Sequence, residues 1–96
     1  MKMFLLMYSG PTPTRVEEIL ERHDVHAWTT YEGGRGAGAT GRHEGSRAWP
    51  GATALVMSVV PQANADALAS VLEQEAERLP HGERLHLAVL PIERFF

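Results

Sequence analysis

The residues best suited to chemistry lie together in one stretch, YEGGRGAGATGRHEGSRAWPG, residues 31–51. Arg35, Arg42 and Arg47 supply three guanidiniums there, His43 an imidazole, Glu44 a carboxylate and Trp49 an indole, all spaced among glycines. Within the stretch GAGATG, residues 36–41, matches G-x-G-x-x-G as text. That fingerprint holds a pyrophosphate only where it follows a strand and opens a helix, because the free N–H groups of the helix N-terminus make the contact. A β-branched and aromatic run does precede it, but RHEGSRAWPG after Gly41 contains Gly45, Pro50 and Gly51 and no apolar period, so no helix is expected. No G-K-[ST] occurs either, which excludes a Walker-type phosphate loop. What remains is a long connection, residues 32–51, between two strands of one domain. A spacer has no need of that set of arginine, histidine and tryptophan, and the segment is expected to touch a ligand or a partner.

Other chemistry is sparse. The histidines, His23, His26, His43, His81 and His86, make no i, i+4 helical pair and no H-E-x-x-H, so the only candidate metal donors are the adjacent His43 and Glu44, which read first as exposed loop residues. There is no cysteine, hence no disulfide, thiolate nucleophile or Cys-ligated metal. Ser9, Ser46, Ser58 and Ser70 lack a nucleophile-elbow context, and nothing places two carboxylates in one pocket. An enzyme is not expected.

The elements that would carry the loop follow from periodicity. Lys2 to Tyr8 is apolar on both alternating faces, Met3, Leu5 and Met7 on one and Phe4, Leu6 and Tyr8 on the other, as in a strand covered twice. A helix starts at Thr12-Pro13 or at Thr14 with Glu17 as a capping box, and carries Val16, Ile19, Leu20 and His23 as its stripe. Val25 to Tyr31 and Ala52 to Val60 read as strands; Asn64 caps a second helix with Leu68, Val71, Leu72 and Leu79 inward and Glu73, Glu75 and Glu77 in solvent. Pro80-His81-Gly82 stops it, and Arg84 to Ile92 is a fourth strand, with His86 opposite Leu85 and Leu87. The order β-α-β-β-α-β is the ferredoxin-like α+β plan, a four-stranded antiparallel sheet with both helices on one face and the long loop between strands two and three. Such a plan leaves the second apolar face of the sheet bare, so a homo-oligomer is expected.

Bulk properties agree with one ordinary globular domain, residues 1–96: 44% hydrophobic and 22% charged residues at a net charge of −3. The nine Lys and Arg form no basic stripe, so nucleic acid is not an expected partner. MFLLMY is too short to cross a bilayer and no signal-peptide pattern follows, which makes a cytoplasmic location the expectation.

With strand two running into Gly36-Ala37-Gly38, His43 beyond it and a turn at His81-Gly82-Glu83-Arg84 after the second helix, the chain resembles the nitrogen-regulatory PII proteins and their shorter PII-like relatives. The resemblance implies a trimeric signalling protein with no tightly bound cofactor, whose T-loop touches a target protein and whose inter-subunit clefts take a small effector, commonly an adenine nucleotide. It would place Gly36 and Gly38 where backbone N–H groups approach phosphates, with Arg35, Thr40, Gly82 and Arg84 around them, Arg94 as a further cation, and Arg42, His43, Glu44, Arg47 and Trp49 on the partner-contacting loop. Thr40 stands where nitrogen-regulatory members carry Gln, and the loop tip has no Tyr, so neither 2-oxoglutarate sensing nor uridylylation is expected. Two rival resemblances are a CutA-type divalent-metal-responsive trimer using His43 and Glu44, and a small ferredoxin-like dimeric oxygenase or isomerase.

Overall fold

A computed structural model describes residues 1–38, 41–43 and 52–96. Strand β1 (Lys2–Gly10) leads to helix α1 (Arg15–Arg22), strand β2 (Thr29–Gly34), two short strands β3 (Gly36–Gly38) and β4 (Gly41–His43), strand β5 (Ala52–Val60), helix α2 (Gln62–Glu77) and strand β6 (Arg84–Pro91). The main sheet has the order β2-β5-β1-β6, every neighbouring pair antiparallel. This is the expected four-stranded α+β, ferredoxin-like architecture.

One face of the sheet is packed. Phe4, Leu6 and Tyr8 of β1 join Ala54, Val56 and Val60 of β5, Leu85 of β6, Val16, Ile19 and Leu20 of α1, and Ala65, Leu68 and Leu72 of α2 in one buried cluster. Both helices therefore cover the same face, and the period of two along β1 separates its residues cleanly into buried and open sets. Ser58 is the polar member of this core; its hydroxyl donates to the carbonyl of Ala27 at 2.8 Å, which satisfies it. The opposite face carries Met3, Leu5, Met7, Leu55, Met57, Val59, Ala88 and Leu90 with no element over it among the described residues.

Three element boundaries differ from the sequence reading. The second strand begins at Thr29, not Val25. Asp24 sits in the left-handed region at φ 63°, the Val25 N–H donates to the Leu20 carbonyl at 2.8 Å and the Asp24 N–H to the Glu21 carbonyl at 3.1 Å. That pair of bonds is a Schellman ending of α1, in which Val25 folds back toward Leu20 and is spent on the helix rather than on the strand. Helix α2 begins at Gln62 with Pro61 in the capping position, so Asn64 is its third residue and not its cap, and the Asn64 N–H donates to the Pro61 carbonyl at 3.0 Å. β5 runs to Val60 and leaves only Pro61 to turn the chain. Helix α1 starts at the second of the two expected positions, with Thr14 as its cap, but the Thr14 side chain makes no capping bond, so the capping box itself is absent.

The third difference concerns the long connection. β2 continues to Gly34 through a register shift between Tyr31 and Gly34, and β3 pairs with β4, Gly36 opposite His43 and Gly38 opposite Gly41. Part of the predicted loop is thus a two-stranded ribbon. Gly41 opens a strand, not a helix, in agreement with the exclusion of the dinucleotide fingerprint.

Candidate functional site

The strand directions put Arg35, Gly36, Gly38, Gly82 and Arg84, those predicted effector-site residues that lie among the described ones, at one end of the sheet. Gly10 of β1, Ala52 of β5, Gly34 of β2 and Arg84 of β6 all lie at that end, and the glycine ribbon departs from it. The register orders them: Gly34 is opposite Thr53, Thr53 opposite Ser9, Ser9 opposite Arg84. Gly34 and Arg84 are consequently on opposite edges, three strand spacings or about 14 Å apart. One chain does not bring the ribbon base (Arg35, Gly36, Gly38) and the Gly82–Arg84 turn together. Arg35 and Arg84 are both exposed, and Gly82 takes a φ of 89° that only glycine adopts freely. Thr40, Glu44, Arg47 and Trp49 lie outside the described residues, as do the side chains of Arg42 and His43. Arg94, beyond β6, lies with its guanidinium 6.0 Å from the Phe96 ring centre, away from this end.

Beside the turn is a polar cluster that sequence reasoning missed. The Tyr8 hydroxyl donates to Glu83 Oε1 at 2.8 Å and accepts from the Thr12 N–H at 3.0 Å, while Arg15 donates through Nε to Oε1 at 2.9 Å and through Nη2 to Oε2 at 3.0 Å. The Glu83 side chain is only 3% exposed and that of Arg15 31%. The two bonds from Arg15 hold the Glu83 carboxyl below the usual carboxylate range against the opposing effect of burial, with the Tyr8 bond assisting. Burial first, and then the bond to Glu83, push the Tyr8 phenol up to about 12. The Glu83 bond likewise raises the Arg15 guanidinium. This cluster fastens the start of α1 and the end of β1 to the turn that precedes Arg84. A readable signal existed: Tyr8 is on the inward face of β1, and a buried phenol needs a polar partner.

At the far end of the sheet a cavity of about 500 Å³ opens between residues 23–27 and the first turns of α2, floored by Val25, Val60, Leu68 and Val71. None of the predicted site residues lines it. Glu75, expected in solvent, instead accepts from Arg22 and faces His23 Nε2 at 3.4 Å. Partial burial of its carboxyl acts upward, but the bonds from His23 and Arg22 outweigh it and leave the group lowered. Among the described residues no three His, Asp or Glu side chains come close enough to hold a metal ion. His86 lies exposed on the open sheet face, and Trp28 is half-buried against the core with Nε1 unpartnered among the described residues.

No protein family, curated protein or solved structure matches the chain. Among the described residues no helix is long and apolar enough to cross a membrane.

Proposed function

We propose that this chain is a non-enzymatic PII-like regulatory protein, a homotrimer that binds a small anionic effector, an adenine nucleotide, between subunits and contacts a partner protein through the glycine-rich segment. The observation that carries the reading is the placement of the ribbon base and the Gly82–Arg84 turn at the same end but on opposite edges of one sheet. A cleft using both needs the β2 edge of one copy and the β6 edge of the next. The open face favours assembly too. Its footprint, four strands about 4.8 Å apart and up to nine residues long, is roughly 500 Å² of largely apolar surface, at the upper end of what a monomer leaves to water. Effector binding at the ribbon base then changes what the segment of residues 33–50 presents to the partner.

Light scattering on the purified chain tests the assembly, and thermal shift against ATP, ADP, AMP and divalent metals tests the ligand class, since a ligand of the native state raises its midpoint. A trimer whose midpoint rises with an adenine nucleotide is the expected result. A dimer, or a response to zinc or copper alone, overturns it.

A further inference from the structure

We infer that the open sheet face carries an oxyanion site at its ribbon end, built from Arg84, Ser9 and Thr53. The register sets these residues in one row across three adjacent strands, Arg84 beside Ser9 and Ser9 beside Thr53, with neighbouring Cα atoms about 5 Å apart. Alternation puts all three side chains on the open side, the side of Met7, Leu55 and His86. Every member of the row can donate, a guanidinium with five N–H groups and two hydroxyls, and no carboxylate occupies any open-face position of β1, β5 or β6. Glu83, next to Arg84 in sequence, points to the helix side and is held by Arg15.

Two features show that the row is incomplete as it stands. Arg84 has no ion-pair partner among the described residues, and Thr53 Oγ1 is buried with no hydrogen-bond partner among them. The rows beyond are apolar, Met7 with Leu55, Leu5 with Met57 and Met3 with Val59, so a guanidinium at their border loses solvation when that face is covered and requires a counter-anion. A phosphate or carboxylate of a small ligand pairs with the guanidinium and the Ser9 hydroxyl, and with Thr53 Oγ1 once rotation about χ1 turns that hydroxyl out of its buried position. The fourth position of the row is Gly34, where β2 hands over to the ribbon, so an anion seated there lies next to the segment whose conformation would change. In linking the row to that segment the inference rests on the regulatory reading; the row itself does not.

The test is a titration of the full chain with inorganic pyrophosphate alone, and separately with ADP, followed by calorimetry and by NMR shifts at Ser9, Thr53, Arg84 and residues 33–38. Pyrophosphate is expected to move the three row residues. Arg84→Ala is expected to weaken its binding about ten- to hundredfold, the loss of one charge-assisted donor set, and Thr53→Val or Ser9→Ala about three- to tenfold. Arg84→Lys is expected to retain more affinity than Arg84→Ala, and the thermal midpoint of each variant reports whether it is folded. No pyrophosphate binding, shifts confined to other surfaces, or unchanged affinity in folded Arg84→Ala overturns the site even if ADP binds. Binding at the row with no response in residues 33–38 and no trimer upholds the site and overturns the regulatory reading instead.

Discussion

Replacing Glu83 by Gln changes one buried carboxylate to an amide of the same shape and exposes how much the Tyr8–Glu83–Arg15 cluster contributes. The carboxylate accepts three bonds of 2.8 to 3.0 Å, two of them from a guanidinium. The amide oxygen can keep one Arg15 bond, but the NH2 group then meets a second donor. Breaking a fully buried ion pair from one side costs about 3–5 kcal/mol. Arg15, with 31% of its side chain exposed, regains part of its hydration, so the expected loss is lower, about 2–3 kcal/mol. For a domain of this size that lowers the melting midpoint by about 10–20 °C. Urea unfolding between pH 7 and pH 3 supplies a second signature. Because the folded carboxyl titrates below its unfolded value, its stabilisation is fully present above about pH 4.3 and is lost as pH falls through the folded value. The gap between wild type and Glu83→Gln should therefore be widest at neutral pH and close on acidification. A gap under about 0.5 kcal/mol at pH 7, or one of constant size down to pH 3, would refute the assignment of this cluster as a charge-dependent fastening.

Two further expectations concern the same corner. The Tyr8 phenol, raised to about 12 from an unfolded value near 10, stabilises the fold below about pH 10 and loses that contribution as pH rises toward 12; Tyr8→Phe should flatten this alkaline limb in a pH series of denaturant midpoints. At Gly10, with φ 154°, a Cβ would stand 2.5 Å from the Tyr8 hydroxyl oxygen and 2.9 Å from Glu83 Cγ, so Gly10→Ala should cost about 2–4 kcal/mol in urea unfolding, and a loss under about 0.5 kcal/mol would mean that the cluster shifts freely.

What could be read without coordinates was what local pattern determines. The two-faced alternation of β1, the stripe of Val16, Ile19 and Leu20, and the strand Ala52–Val60 each declare themselves within a few residues, and element order then selects the sheet topology. Boundaries failed where tertiary economy overrode propensity. Val25 is β-branched, yet the left-handed Asp24 commits it to the end of α1, and no glycine marks that ending. The fastening of Tyr8 to Glu83 joins residues 75 apart in sequence, beyond the reach of any window, although the demand of a buried hydroxyl for a partner was visible in Tyr8 itself.

The glycine segment shows the same limit from the other side. Glycine disfavours strands because it surrenders the most backbone freedom and offers no side chain to pack, so Gly36–Gly38 and Gly41–His43 read as loop by every local measure. The register shift between Tyr31 and Gly34 sends the chain out of the main sheet, and backbone pairing within the departing segment is then what satisfies its peptide groups. Three of the six paired residues, Gly36, Gly38 and Gly41, have no side chain with which to hold the ribbon to the body, and a segment so composed has a small free-energy difference between its arrangements. That is the property a segment needs if an anion seated beside Gly34 is to redirect it: one new set of charge-assisted bonds, worth about 1.5–3 kcal/mol each, is then enough to shift the balance.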